Sequence, residues 1–472
     1  MEFFVTPGRF WLPRPQRRAV HGTLTFDEDG VRLVLSDPLR APHVREDGIV
    51  SGSPELADEE VVHGWLRDGR PVTLLRLRGW SMPADGITET WIADFAVAGG
   101  HISGDAFNQM VVIFDYLMRW VQPPGIIRHD LLSSSLTVET QQATLAQTEL
   151  SDGRTVRLVT GAEGGHADDS VHYDQWCGLQ VTGEKPKPVL EVLNSWARPL
   201  QDLLIVCIGQ PVRIEQVLLG TPECDLGSTP LELLFKAVQP VARAHPAATS
   251  LDGQNSPALL SYATSPLPFD ALIDGWFDLY DRFSDVMTLL CGPYYAPFIY
   301  SRHRYASTFQ AAEALARAVS DTREKGRKEH RERVEAVVAV LKEAQLGEDV
   351  TGWAMRVLQS RNDKPLRQLM EELISSAGDI GHQLLAVVPD LPGLLAAART
   401  DVSHPGAAGP GTLERYWLGE ALIWVLRVRL LVELGMPVSQ LSARVTQKAA
   451  FQNAVSELAR LLPSTGKPES GR

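Results

Sequence analysis

The hydrophobic period of this chain changes near residue 187, and that change constrains its fold more than any other feature. Before it, short alternating or apolar runs are separated by turn residues, such as DEDG at 27–30 between the runs at 21–26 and 31–35. Such alternation is typical of half-buried strands joined by hairpins. From about 268 to 464, apolar residues recur at helical spacing, as in Leu366, Leu369, Met370, Leu373 and Ile374. The pattern predicts an α+β multidomain chain, with an N-terminal β-rich, sandwich-like domain followed by a C-terminal all-α helical bundle.

Two runs near the change of period carry helical spacing. Residues 107–121 place Met110, Phe114 and Leu117 on one helical face, and the helix should end before Pro123. Residues 189–207 also have helical spacing, which Pro199 should kink or divide. We therefore predict one helix inside the β-rich half and a divided helix after it.

The domain boundaries follow from composition and period. The length of 472 residues allows two or three domains. We assign residues 1–235 to the β-rich domain, 236–267 to a linker or insertion rich in Gly, Pro, Ser and Ala, 268–464 to the helical domain and 465–472 to a flexible tail. Within the helical domain, Thr412 is predicted to cap a long helix that runs to Leu434.

Composition excludes several classes of protein. With 44% hydrophobic residues the chain is not disordered. Its net charge of −13 argues against a surface coated in positive charge for binding duplex nucleic acid, although it does not exclude a local basic groove. The four cysteines form no CxxC pair, and no apolar run approaches the roughly 20 residues of a membrane span. We expect a reduced, cytoplasmic chain without a signal peptide or a membrane partner.

One short segment combines residues suited to chemistry on phosphates. Arg399 and His404 flank a predicted helix end, because Pro405 disfavours helical conformation at the residue before it. A guanidinium grips a phosphate with two donors, and an imidazole exchanges a proton near neutral pH. Together they suit cleavage of RNA without a metal. The Arg-x(4)-His pattern is weak by itself, since the composition predicts about one match by chance and one occurs.

The position of Arg399 and His404 strengthens the interpretation of the pair as catalytic, since the pair precedes the last long helix of the bundle. With the pair at this position, the C-terminal half resembles a HEPN domain of the ApeA type. Ribonucleases of that type carry Arg-x(4–6)-His before the final helix of an all-α bundle that usually dimerises. The N-terminal half resembles the ApeA N-terminal domain through GRFWLP at 8–13, VHGTLTF at 20–26 and the run at 30–35. The looser spacing also admits Arg14 with His21 and Arg323 with His330, but neither pair has the family's placement.

The resemblance implies a function. It implies an anti-phage abortive-infection protein whose N-terminal domain senses or regulates and whose helical domain is a metal-independent endoribonuclease. The substrate would be host RNA, tRNA being favoured, cleaved by attack of the ribose 2′-hydroxyl. Arg399 and His404 would meet their copies in a homodimer or higher homo-oligomer. A phage-derived trigger is implied, and no cofactor.

The chain departs from the family pattern at one position of this segment. The family usually has Asn or Asp directly after the arginine, whereas here Thr400 occupies that place and Asp401 follows. Asp401 is a candidate to hold the ring of His404, and Ser403 is a candidate substrate contact. Which polar residue orients the site stays open among Thr400, Asp401 and Ser403.

Two basic segments offer further RNA contacts. Arg302, His303 and Arg304 form a compact basic group that could contact phosphate or base, although a helix start explains it as well. The charged run at 322–335 could guide RNA, but its acidic residues alternate with basic ones at helical spacing. We expect that run to be a solvated, salt-paired helix face.

Two features of the β-rich half can be interpreted either as structural or as functional. Its aromatic residues could line a ligand pocket, yet core packing explains them as well: Phe10, Trp11, Trp65, Trp80 and Trp91. The loop near His166 holds Asp168, Asp169 and His172, which would suit a metal, but the segment is typical of a polar loop. We expect core packing and no metal site.

Two other functions compete with the ribonuclease. The first is a non-catalytic sensor or binding protein whose helical bundle is a dimerisation scaffold, which Thr400 and the acidic balance favour. The second is a carbohydrate-acting jelly roll, which would need paired carboxylates in a cleft.

Overall fold

Strands fill the first half of the chain and helices the second, so the predicted α+β organisation is confirmed. The computed structural model describes residues 3–14, 18–39, 43–44, 50–51, 61–81, 89–123, 127–130, 135–138, 143–167, 170–222, 226, 230–236, 256, 258–296, 299–345, 347–360, 362–403 and 410–462. These belong to two compact units. One comprises residues 1–251, 260–278 and 294–297, and the other comprises 252–259, 279–293 and 298–472.

The strands are β1 (Phe4–Trp11), β2 (Val20–Asp27), β3 (Gly30–Leu35), β4 (His43–Val44), β5 (Val50–Ser51), β6 (Val62–Leu66), β7 (Pro71–Ser81), β8 (Glu89–Ala98), β9 (Ala106–Phe114), β10 (Ile127–Asp130), β11 (Ser135–Val138), β12 (Ala143–Glu149), β13 (Thr155–Ala167), β14 (Ser170–Pro188), β15 (Ile214–Gly220) and β16 (Leu231–Phe235). The helices are α1 (Leu117–Val121), α2 (Val189–Val192), α3 (Arg198–Ile208), α4 (Phe269–Arg282), α5 (Ser284–Tyr295), α6 (Ser301–Val319), α7 (Arg327–Glu343), α8 (Glu348–Ser360), α9 (Leu366–Ser375), α10 (Asp379–Val387), α11 (Leu391–Ser403), α12 (Thr412–Glu433), α13 (Val438–Thr446) and α14 (Ala449–Leu461).

Six strands of the first unit close into an antiparallel barrel in the order β1-β2-β3-β8-β7-β6, with β6 pairing back to β1. Closure leaves no free edge among these strands and encloses a core of apolar side chains. The ring of Phe10 is part of this core. A Cβ at Gly64 would lie 2.5 Å from that ring, so the glycine on the neighbouring strand makes room for it.

The sheet continues beyond the barrel through β16, β15, β9, β14, β13 and β12. In this extension one prediction is wrong: residues 107–114 form β9, and only Leu117–Val121 is helical. β9 lies between β14 and β15 and has buried residues on both faces, so its sequence lacks the strict alternation of a half-buried strand. A continuous apolar run of this kind has no period that separates strand from helix.

The predicted division at Pro199 is confirmed. A π-helical turn, Leu193–Ala197, interrupts the α-helical pattern between α2 and α3, and Pro199, which has no N–H to donate, lies in the first turn of α3 directly after it. The carbonyl of Pro199 accepts a hydrogen bond from Nε1 of Trp276 at 2.7 Å. The hydroxyl of Tyr295 donates to the buried carboxylate of Asp202 on the same helix. These bonds anchor α3 inside the first unit.

In the second unit, α12 is the central helix. It packs against α6 and α14, and most of its residues between Leu418 and Leu431 are buried. Gly419 allows close approach of α6, since a Cβ there would lie 3.2 Å from the ring of Tyr305. The helix begins at Thr412 as predicted, with Gly411 rather than Thr412 at the N-cap position, and Leu434 is its C-cap.

No single described helix has the length and hydropathy required to cross a membrane. α10 and residues 391–398 have the required length and hydropathy only when they are taken together, and the chain bends by 82° between them.

Candidate functional site

The predicted catalytic segment begins in the last turn of α11 and precedes α12 in the chain. Arg399, Thr400, Asp401 and Ser403 occupy the last residues of α11. Their backbone is helical, while their side chains and the whole of His404 lie outside the described residues. A cation near the last carbonyls of a helix is electrostatically favourable, which suits an arginine at this position. The catalytic and orienting roles of these residues stay predictions.

The helix that carries Arg399 is held by its apolar face. Leu391, Leu395 and Ala398 are buried, and this spacing puts them on one side of α11. The helix packs against α9 and α6, and α6 in turn packs against α12. Arg399 follows directly after the buried Ala398. The last turn of α11 is therefore attached to the core of the bundle by the residue before the candidate arginine.

The basic group of α6 lies beside the first half of α12. Arg304 forms an ion pair with Glu420 at 3.0 Å, and Tyr305 lies against Gly419. Glu420 is eight residues beyond Thr412, which corresponds to about 12 Å along the helix axis. The start of α6 therefore lies about 12 Å along α12 from the helix start that follows the candidate segment.

The three basic residues of this group differ in exposure. Arg302 and His303 are exposed in the first turn of α6, whereas Arg304 is half-buried in its pair with Glu420. The His303 ring stands edge-on to Tyr300, 5.9 Å between centroids, and Tyr300 is 81% exposed. A guanidinium, an imidazole and a phenol ring thus face solvent at the start of α6, while the carboxylate of Glu420 partly neutralises the guanidinium of Arg304.

The two matches at looser Arg/His spacing lie in other structural contexts than Arg399 and His404. Arg323 precedes α7 and His330 lies on it, in the charged run. The predicted salt-paired face is confirmed there, with ion pairs between Lys325 and Glu329 at 2.7 Å and between Arg333 and Glu324 at 2.8 Å. Arg14 lies between β1 and β2 in the chain, and His21 lies on β2 of the barrel.

Core packing is confirmed for Phe10, Trp11 and Trp91, which are buried. It is wrong for Trp65, which is 48% exposed, and the side chain of Trp80 lies outside the described residues. On β6, alternate residues face the barrel interior, and Trp65 falls on the opposite face. Strand alternation was the signal that could have separated Trp65 from its neighbours Gly64 and Leu66.

Among the residues with described positions, no three His, Cys, Asp or Glu side chains are grouped so that they could hold a metal ion. Asp168 and Asp169 of the loop near His166, and the side chains of His166 and His172, lie outside that set. The expectation that this loop holds no metal therefore stays a prediction.

Two family models match the chain. The model of ApeA N-terminal domain 1 matches residues 7–252, which is more than half of the 472 residues. The model of Apea-like HEPN matches residues 306–440, from α6 to α13, and this span includes the segment 399–404. No curated protein and no solved structure matches the chain.

Proposed function

The chain belongs to the ApeA family and carries an Apea-like HEPN domain, and from this premise we propose that it arrests infected cells by cleaving host RNA. It is an ApeA-like anti-phage protein with a HEPN nuclease domain. The favoured substrate is tRNA, and the active site uses Arg399 and His404 of two chains. The β-rich domain responds to a phage-derived trigger.

The observation that carries the proposal is the position of the Arg-x(4)-His pair. It occurs once at this spacing, inside the span of the HEPN match and directly before the longest helix of the bundle. A pattern expected about once by chance gains its weight from falling at this junction and not elsewhere in the chain.

The chemistry needs one proton carrier and one fixed cation. His404 takes the proton of a ribose 2′-hydroxyl, and the 2′-oxygen forms a bond to the adjacent phosphorus. The bond from phosphorus to the 5′-oxygen breaks, and His404 returns the proton that it took to that oxygen as it leaves. Arg399 stabilises the charge that builds on the phosphorane oxygens. The products are a 2′,3′-cyclic phosphate and a 5′-hydroxyl end, and no step requires a metal.

Neighbouring residues complete the proposed site. Asp401 is the first candidate to orient the ring of His404, with Thr400 as the alternative, and Ser403 lies one helical turn beyond Arg399 as a candidate substrate contact. Arg302 and His303 supply exposed donors for RNA phosphates, and Arg304, which pairs with Glu420, is the third candidate contact. Because the chain is acidic overall, binding depends on such local cations rather than on the whole surface.

A homodimer brings two Arg399/His404 pairs together. Its support is the start of α12, where Leu413 and Tyr416 are 50% and 39% exposed. They lie three residues apart and therefore on one helical face, directly after the candidate segment. Exposed apolar residues of this kind are typical of a surface that a partner covers. A second copy of the chain, related by a two-fold axis, would cover it with the same residues.

Substitution at the pair tests the site. We expect Arg399→Ala and His404→Ala each to reduce RNA cleavage by at least about a thousandfold and to abolish growth arrest during infection. The matched controls are Arg323→Ala and His330→Ala, which alter the same residue types at related spacing and should cleave RNA like wild type. Activity should survive EDTA.

A His404→Ala protein that cuts as fast as wild type would remove the site assignment. Loss of activity on chelation, restored by Mg²⁺, would replace the mechanism. The second candidate, a non-catalytic sensor with a dimerisation scaffold, is favoured by Thr400 at the family's Asn or Asp position. It predicts growth arrest that does not depend on Arg399.

A further inference from the structure

A cavity of about 660 Å³ lies against strands β1, β2, β3 and β6 of the barrel. Its volume is within the range of small-molecule sites. It is open to solvent on the outer face, away from the enclosed core that includes Phe10. Its lining residues are Pro7, Gly8, Arg9, His21, Gly22, Thr23, Val34, Leu35, Ser36, Trp65, Leu66 and Arg67.

Strand register brings an aromatic ring and two basic side chains into one row. Arg9 on β1 stands opposite His21 on β2 and opposite Trp65 on β6. Directly opposed residues of antiparallel strands have Cβ atoms about 5 Å apart. Arg9 is exposed while the following Phe10 is buried, as alternation along a strand requires. The guanidinium therefore leaves the barrel between the Trp65 indole and the His21 imidazole.

A second cation follows one pleat along the same face. The backbone N–H of Arg67 donates to the carbonyl of Pro7 at 2.9 Å, which continues the pairing of β6 with β1. Arg67 lies two residues beyond Trp65 and so points to the same side. Two guanidinium groups, an imidazole and an indole thus converge on one cavity.

The charge of this cavity is opposite to that of the chain. The titratable residues among its described lining are Arg9, His21 and Arg67, with no carboxylate. The acids next to the lining in sequence face other arginines, Asp37 facing Arg18 at 4.0 Å and Asp68 facing Arg70 at 2.7 Å. The chain as a whole carries −13. A basic cavity in an acidic protein selects an anion by charge complementarity.

Trp65 adds a requirement for a flat apolar group. Its indole is 48% exposed and is held edge-on by the ring of His101, 5.1 Å between centroids. His101 is itself fixed by a hydrogen bond between Nε2 and the carbonyl of Gly64 at 2.9 Å. A ring held in this way offers a stacking surface that any nucleobase can use.

We propose that this cavity binds a nucleoside phosphate, with its base on Trp65 and its phosphate between Arg9 and Arg67. The nucleoside phosphate is either a free nucleotide or one residue of a single strand. The site belongs to the β-rich unit and is independent of Arg399 and His404. It gives the regulatory half of the chain a ligand of its own.

Calorimetric titration of the full-length protein tests the site, with AMP, GMP, CMP, UMP, adenosine, inorganic phosphate and a single-stranded 2′-O-methyl decamer as probes. The decamer has no free 2′-hydroxyl inside the chain and cannot be cleaved by 2′-attack. We expect at least one nucleotide to bind about tenfold more tightly than both adenosine and inorganic phosphate, because only the nucleotide uses the ring and the cations together.

Variants localise the binding. Arg9→Gln, Arg67→Gln and Trp65→Ala should each weaken nucleotide binding by about tenfold. The matched control is Arg32→Gln, an exposed arginine of β3 that lies outside the cavity, which should bind within about twofold of wild type. Circular dichroism verifies that each variant is folded.

Comparison of the decamer with the mononucleotides distinguishes a free nucleotide from a single strand as the ligand. Binding of mononucleotides that matches or exceeds binding of the decamer supports a free nucleotide. Decamer binding that is tighter, and that Arg9→Gln weakens, supports a strand. The proposal is overturned if no nucleotide binds at millimolar concentration, if phosphate alone binds as tightly as every nucleotide, or if the Arg9 and Arg32 variants bind alike.

Discussion

At the scale of single residues, Asp115 shows how burial acts on a charge in this protein. The residue follows β9 and accepts hydrogen bonds from the backbone N–H of Arg213 at 3.0 Å and from its Nε at 3.3 Å. Burial raises the pKa of Asp115 to about 6, although these hydrogen bonds lower it. The folded chain therefore holds a proton on this carboxyl at a pH where the unfolded chain has released it.

The raised pKa predicts a falling stability between about pH 4 and pH 6. The folded state binds more protons than the unfolded state in this interval, so the free energy of unfolding decreases as the pH rises. Asp115→Asn should remove up to about 3 kcal/mol of that decrease. Unfolding of both proteins at pH 4 and pH 7 measures it. The control Asp29→Asn, at an exposed turn, should keep the wild-type profile, and an unchanged profile in Asp115→Asn would contradict the prediction.

At the scale of elements, close helix packing depends on glycines at defined contacts. Gly381 lies in the first turn of α10, and a Cβ there would lie 1.9 Å from the carbonyl oxygen of Ile374 on α9. That neighbour is backbone and has no rotamer by which to move away. The joint between α9 and α10, and with it the helix layer that carries α11, therefore requires a residue without a side chain at this position.

Substitution of Gly381 should destabilise the helical unit. Gly381→Ala is expected to lower the free energy of unfolding by about 2–3 kcal/mol, since the two helices must separate to admit the methyl group. Gly352→Ala is the matched control. Gly352 lies in α8, and its Cβ would have only an ordinary contact of 3.6 Å with Arg356, so higher helix propensity should stabilise this variant by about 0.5–1 kcal/mol. Chemical denaturation followed by helical circular dichroism measures both. Equal effects of the two substitutions would refute the packing argument.

At the scale of the whole molecule, the proposed nuclease requires two chains. One Arg399/His404 pair supplies a single fixed cation for a phosphorane with more than one negative charge, and a two-fold axis at the start of α12 would supply the second. This arrangement links RNA cleavage to chain association. The rate per chain should therefore fall when the protein is diluted below its dimer dissociation constant.

A charge at the proposed interface should separate the chains. Leu413→Asp lies in the first turn of α12, where a carboxylate is compatible with the helix dipole, so the helix should persist while the dimer dissociates. Sedimentation velocity should show a 51.9 kDa monomer, with at least about tenfold slower cleavage per chain. Val340→Asp, an equally apolar exposed position on α7, should leave the dimer intact. If Val340→Asp dissociates the chains and Leu413→Asp does not, the interface lies on α7 instead.

The sequence by itself determined the division into a strand half and a helical half and the interruption of the helix next to Pro199, while Arg399 and His404 stay a prediction. Both determined features depend on residues near one another in the chain, where period and proline geometry act locally. Tertiary structure alone decided that β1 pairs with β6, that β7 and β8 close a barrel, and that residues 107–114 are a strand between β14 and β15. Strand partners are chosen by contacts between distant residues, which no local pattern encodes. For that reason the cavity of Arg9, His21, Trp65 and Arg67 exists only in the folded chain.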